Sequence, residues 1–383
     1  MEKIYLDNSA STPLSGEVKK VMTGVMENTY GNPSSLHGAG TEAGRILTDA
    51  RLNVIKALNI KSSQIQTANV IFCGSGTEAN NLAVFGTVLA KNKKNRRVVT
   101  TDSEHKSILE PLKKLESEGA EVIKLTTENG VIDVEELKRS VTPDTVLVTI
   151  MLVNNETGAL YDVKKAFFTA KKQNPSVVTH CDAVQGFGKV NDFSPVVYGA
   201  DMVSLSAHKI HGPKGVGALY CHRSLITSKK IIPCIFGGGQ ENGMRSGTEN
   251  TIGIAGFGEA VKHTADVAYL YSLRGRVIAG LPSGAKANVP AGEYVPNIIS
   301  VTVPGIKSEV MLRYLSGNGI YVSSGSACSS NTGEISYPLL NFGLSKYDAD
   351  CTIRISLSVY NTENQIDKFL TELGKGVESL MKI

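Results

Sequence analysis

Apolar positions along the first sixty residues recur in two helical rhythms. Val18, Val21, Met22, Val25 and Met26 follow one, and Ala43, Ile46, Leu47, Ala50, Val54 and Leu58 the other. Spacing of i, i+3, i+4, i+7 gathers apolar side chains on one helix face. The turn cluster at 31–35 separates the two. From Asn69 onward the pattern changes, and short β-branched runs at 70–72, 98–101, 146–153, 177–179, 203–205 and 217–220 alternate with helical or looped stretches. Strands apolar on both faces and interleaved with helices predict an α/β domain around a mostly parallel sheet covered on both sides. Beyond about residue 261 the texture shifts to a helix, a Pro/Gly-rich loop at 281–292, a strand at 298–303, a helix at 309–315 and a last helix at 363–380. That order predicts a smaller α+β domain, with no internal repeat.

Length agrees with two domains, since 383 residues exceed one minimal core. The apolar fraction of 41% and charged fraction of 20% are those of an ordinary soluble chain. No run of about 18 residues is uniformly apolar, so no membrane span is expected. Met1 leads directly into Ile4-Tyr5-Leu6-Asp7 without a basic and apolar leader, and a cytoplasmic protein is expected. A net charge of +4 on 40 basic and 36 acidic residues is too dispersed for a nucleic-acid surface, and the basic run at 91–97 reads as a solvated loop. The six cysteines form no C-x-x-C pair and no regular spacing. Free thiols are therefore expected rather than a disulfide framework or zinc module.

Ligands of open α/β sheets collect beyond the carboxyl ends of strands. Five such places carry chemistry. After 70–73 comes Gly74-Ser75-Gly76-Thr77 opening a helix, a turn suited to a phosphate. After 98–101 come Glu104, His105 and Lys106; after 146–153, Asn154, Asn155 and Glu156; after 177–179, Asp182 and Gln185; after 203–205, Ser206, His208 and Lys209. Each alone also reads as a capped turn or a solvated charge. Together they supply what pyridoxal phosphate requires: a lysine for the Schiff base, a carboxylate that keeps the pyridine nitrogen protonated, and donors for the phosphate. Asp182 and Lys209 are the natural pair. Lys214, after Gly212-Pro213, lies further from the strand end. An i, i+3 metal pair at His208 and His211 would leave Asp182 and Lys209 unexplained.

Three stretches carry a specific resemblance: Ser206-Ala207-His208-Lys209-Ile210-His211-Gly212-Pro213-Lys214-Gly215, Gly243-Met244-Arg245-Ser246-Gly247-Thr248 and Ser323-Ser324-Gly325-Ser326-Ala327-Cys328. In order and spacing, from Tyr5 through Arg354, the chain resembles cysteine desulfurases of the NifS/IscS type. The resemblance implies the aspartate-aminotransferase fold (type I), with a large pyridoxal-phosphate domain at 13–261. A small α+β domain would comprise 1–12 and 262–383 and carry a cysteine loop at about 323–335. It implies Lys209 as the Schiff-base lysine, Asp182 on the pyridine nitrogen, and Gln185 on the ring hydroxyl. His105 would stack on the ring and serve in proton transfer. Gly76, Thr77, Ser206 and His208 match phosphate ligands, and Thr248 matches one that reaches the neighbouring subunit's phosphate, so a homodimer is implied. Asn155 and Arg354 match the groups that hold the carboxylate of L-cysteine, and Cys328 the thiol that receives its sulfur.

Cys328 differs from the other thiols in its setting. Cys73, Cys181 and Cys221 fall in or beside apolar strand patterns and read as packing residues. Cys328 stands among serines, glycines and an alanine, a composition suited to carrying sulfur from a buried cofactor to an outside acceptor. The stretch from Cys328 to Arg354 is long enough for an extended loop, which in this family marks the class that serves several acceptors. An iron-sulfur scaffold and a tRNA-thiolating enzyme both fit that description. Ser329 and Ser11 depart from the family's usual threonines without removing a reactive group. A selenocysteine lyase or aminotransferase would share Lys209 and Asp182 without needing a persulfide. A non-catalytic scaffold would have no need of either residue.

Overall fold

The computed structural model describes residues 3–91, 96–263, 265–324 and 335–381. The chain starts in a two-residue strand, β1 (Ile4–Tyr5), and the two amphipathic stretches follow as helices α1 (Gly16–Asn28) and α2 (Gly38–Ala57). Ser15 caps α1 by accepting from the Val18 amide at 3.1 Å. Both helices pack on the helix Thr251–Ala260. Gly258 permits that contact, because a Cβ there would lie 2.6 Å from Ala50 Cβ.

The main sheet contains β2 (Ala68–Cys73), β3 (Arg97–Thr101), β4 (Glu121–Leu125), β5 (Thr145–Met151), β6 (Val178–Asp182), β7 (Met202–Ser206) and β8 (Gly217–His222). Its order is β2-β8-β7-β6-β5-β3-β4, with β8 antiparallel to both neighbours and the other pairs parallel. Neighbouring residues of one strand serve opposite cores. Val70 and Phe72 join the cluster containing Val18, Leu47, Val148 and Phe257. Ile71 joins the one with Leu82, Leu112, Leu147 and Met202. Burial on both faces is why these strands read as continuous apolar runs. The sequence pattern misses β4, an edge strand whose Glu121 and Lys124 are exposed.

A second sheet has β10 (Ile298–Thr302) between β9 (Lys286–Ala287) and β12 (Thr352–Ser356), all antiparallel. The N-terminal β1 pairs with β11 (Ile320–Tyr321), and Asp7 bridges to Ser356. Ile4 and Leu6 are buried in the same apolar cluster as Val277, Val301, Ile355, Phe369 and Leu373. Two loop expectations are corrected. The Pro/Gly-rich stretch at 281–292 contains β9, which pairs with the edge of β10. The expected extended stretch from Cys328 to Arg354 is folded in its described part, 335–354, as the helices Tyr337–Asn341 and Lys346–Asp350 followed by β12. Each short helix has a serine cap, Ser336 accepting from the Leu339 amide and Ser345 from the Asp348 amide.

Candidate active site

The carboxyl ends of β2, β3, β5, β6 and β7 lie on one edge of the main sheet and open on a cavity of about 300 Å³. At the end of β2 the chain turns into α3 (Gly76–Ala90), with Ser75 as its cap, accepting from the Glu78 amide at 3.1 Å. Only glycine fits at 76, since a Cβ would lie 2.8 Å from Val184 Cγ2 and 3.3 Å from Ser206 Cβ. The helix N-terminus thereby comes against the ends of β6 and β7, where its amides and dipole suit an anion. Glu78 braces this turn, accepting from the Gly74 amide at 2.8 Å and pairing with Arg245 at 2.8 Å.

Asp182, the last residue of β6, is buried and held from two sides. Its Oδ1 accepts from the Val184 amide at 3.0 Å and its Oδ2 from Asn80 Nδ2 at 2.7 Å. His105 caps helix α4 (Lys106–Ser117), and its Nδ1 lies 3.1 Å from the Ser107 amide and 2.8 Å from Ser107 Oγ. Lys209 follows β7 in a short 3-10 turn, and its ammonium donates to the carbonyls of Ser9 at 2.5 Å and Ala10 at 2.9 Å. Gln185 donates to the same Ser9 carbonyl at 2.9 Å. Arg354 comes from β12 and crosses to the cavity almost wholly buried. It donates to Asn155 O at 2.9 Å and to Asp7 Oδ1 at 2.8 Å.

Gly76, Thr77, His105, Asn155, Asp182, Gln185, Ser206, His208, Lys209 and Arg354 all line this one cavity. Thr248 does not. It borders a separate cleft with Gly74, Arg245 and Glu241. Lys209 lines the cavity and Lys214 does not. Cys328 lies outside the described residues. Sequence reasoning missed Asn80, Ser107, and the Ser9–Ala10 backbone. Asn80 follows Gly76 by four positions on α3, one helical turn, and that spacing was its only sequence signal.

Burial sets the protonation of the site. Glu104 is fully buried behind His105 and its carboxyl is pushed up to about 8, chiefly by loss of water, although it accepts from Thr101 Oγ1 and the Met151 amide. His105 is lowered by burial, offset by Asp182, and His208 is lowered to about 4 by burial and then by Lys209 and Lys214. Among the described residues, Ser9 Oγ, Asn80 Oδ1, Gln185 Oε1, Ser206 Oγ and Arg354 Nε are buried without a hydrogen-bond partner, and all five residues line the cavity. Leaving such atoms unpaired costs about 1–3 kcal/mol each, so their concentration marks a wall built for a polar ligand. A planar ring bearing a nitrogen, a hydroxyl, an aldehyde and a phosphate fits this mixed set of donors and acceptors. Among the described residues no cluster could hold a metal ion.

The sequence matches the family described as aminotransferase class-V over residues 4–369. A protein named cysteine desulfurase IscS, from Clostridium botulinum (strain Hall), is 38% identical over 385 residues, covering 98% of this chain and 94% of its own. Among solved structures, a NifS-like protein superposes with a TM-score of 0.90 at 36% identity, covering all of both chains. Another, described as SspA in complex with cysteine, gives a TM-score of 0.82 at 32% identity over 94% of this chain and all of its own.

Proposed function

The chain belongs to the aminotransferase class-V family, with the cysteine desulfurases of the NifS and IscS type, and from that premise we propose how its own residues carry out the reaction. The enzyme is a pyridoxal-phosphate-dependent cysteine desulfurase that takes sulfur from L-cysteine and releases L-alanine. The observation that carries this reading is the meeting in one cavity of Lys209, Asp182 and His105, from three strand ends of the main sheet, and Arg354, from the middle of β12. When bound, the cofactor withdraws electrons from the substrate's α- and β-carbons. Lys209 would hold the cofactor aldehyde, and its amine is the group placed to move the α-proton. Asp182, held in place by Asn80 and the Val184 amide, would keep a proton on the ring nitrogen. The N-terminus of α3, with Thr77, Ser206 and His208, would bind the phosphate. Arg354 and Asn155 bind the substrate carboxylate, for which the planar guanidinium fork is suited.

Sulfur passes to the thiol of Cys328. The substrate's C–S bond breaks with its electrons left on carbon, an S–S bond forms at Cys328, and proton uptake by the carbon skeleton gives alanine. One thiol and one L-cysteine become one persulfide and one L-alanine. Cys73, Cys181 and Cys221 are poor rivals, since burial pushes their thiols up, that of Cys221 to about 12. We place the enzyme in the cytoplasm as a homodimer in which Thr248 reaches the neighbour's phosphate. Its acceptor is a protein of iron-sulfur assembly or tRNA thiolation. The domain division at 13 and 262 puts Arg354 and Lys209 on opposite sides of the seam.

The test is mass spectrometry of purified enzyme after L-cysteine, paired with an alanine assay. One added sulfur on the peptide containing Cys328 is expected, and its absence in Cys328→Ser. A persulfide undiminished in that variant would move the role to another thiol.

A further inference from the structure

A second cavity, of about 70 Å³, shares Lys209 with the first and no other described residue. It lies between the turns that follow β6 and β7 and the residues that flank β10 and β12. Lys189 lines it from the turn after β6, where its amide donates to Gly186 O at 3.0 Å. Among the described residues no carboxylate pairs with the Lys189 ammonium, and the charge that bears on it, Lys209, is also positive. Asn297, just before β10, lines the same cavity. It is 1% exposed, its backbone carbonyl accepts from the Leu357 amide at 2.8 Å, and its Oδ1 has no hydrogen-bond partner among the described residues. A side-chain amide can present either its oxygen or its NH2. His211 brings no charge to this wall. Its Nδ1 donates to Pro13 O at 2.9 Å, its Nε2 lies 3.1 Å from Ser358 Oγ, and burial holds it below the ordinary histidine value.

We propose that this second cavity is a binding site for one small monovalent anion, of the size of chloride or formate, paired with the Lys189 ammonium and hydrogen-bonded by Asn297. A buried ammonium without a counter-charge either gives up its proton or takes in an anion. The volume is under half of the roughly 150 Å³ that admits a benzene ring, which leaves no room for an amino acid or a nucleotide. The bound anion ties the turn after β6 to the residues beside β10 and β12, and so holds the two sheets together at Lys209. Binding is linked to a proton. Burial first, and then Lys209, lower Lys189 to about 7, so the empty site loses its proton as pH rises through about 7 and an anion must bring one with it. The other groups that face Lys189 are His208 and His211 beyond β7, both lowered by burial, and His263, which lines the cavity and pairs with Glu259 at 3.1 Å.

The experiment is chlorine-35 NMR of sodium chloride with the purified holoenzyme, whose cofactor fills the main cavity, at an ionic strength held constant with sodium gluconate. A saturable line broadening is expected, competed away by sodium formate, with an affinity that falls about tenfold from about pH 6 to about pH 8. Surface lysines keep their charge over that range and so give a component that does not change. Lys189→Met should abolish the saturable component. Asn297→Asp, which leaves the lysine in place and supplies a fixed carboxylate, should weaken it about tenfold or more. The two variants test the site independently, one by removing the cation and the other by competing for it. Broadening that survives in both, or that is constant from about pH 6 to about pH 8, is an adventitious surface ion only and overturns the proposal. The absence of any saturable component overturns it as well and leaves the cavity to water.

Discussion

Glu104 shows how far a residue's neighbours can move its chemistry. Its carboxyl, raised to about 8, stays protonated in the folded protein over a range in which the unfolded chain, at about 4.5, has ionised. The folded state then binds more protons than the unfolded one, so stability falls as pH rises through about 4.5 to about 8 and is level above that. Glu104→Gln should remove this slope. Denaturant unfolding across that range is expected to show the variant gaining on the wild type by an amount on the order of a few kcal/mol. A parallel pair of stability curves would refute the buried neutral acid. Lys209, Asp182 and His105 were legible in the sequence because each stands three or four residues after an apolar β-branched run. Glu104 was visible there only as one of several polar neighbours. Among its distant partners is Tyr337, whose hydroxyl donates to the Glu104 backbone carbonyl from 233 residues away.

At the scale of elements, the site depends on how closely α3 approaches the strands beside it. Gly76→Ala adds a methyl 2.8 Å from Val184 Cγ2, so the helix start must shift away from Ser206. Overpacking of this kind typically costs about 1–3 kcal/mol. The apoenzyme's affinity for pyridoxal phosphate, measured by absorbance titration, is expected to weaken about tenfold, and Val184→Ala in the same chain should recover most of it. If the double variant binds no better than the single one, the contact is not what places the helix. The glycine-rich turn was readable from sequence as an anion site, but the residue that makes glycine obligatory sits on another strand's exit. The helices Tyr337–Asn341 and Lys346–Asp350 were hidden for a related reason. They are five residues each, too short for periodicity to show, and the first is tied to the main sheet by Asn341 donating to Asp102 O at 2.7 Å.

Across the whole molecule, the cavity forms where the two sheets meet. Arg354 joins three parts of the chain there: β12, the Asn155 carbonyl after β5, and Asp7 beside β1. Arg354→Lys keeps the charge but loses the planar fork that spans both partners. KM for L-cysteine is expected to rise about ten- to a hundredfold, with cofactor binding close to wild type, as steady-state kinetics and absorbance titration would show. A change in kcat alone would argue against carboxylate binding by this residue. The sequence by itself determined the layered α/β core, because strands buried on both faces must be apolar throughout. It also determined the polar groups at five strand exits, because parallel strands deliver all their carboxyl ends to one edge. Only the tertiary structure decided which polar residues share hydrogen bonds, such as Asn80 with Asp182 and Ser107, since side chains far apart in sequence meet only when the sheet order is set. It likewise decided that Thr248 stands outside the cavity of its own chain, a matter of where a long segment travels after its last strand, which local patterning does not record.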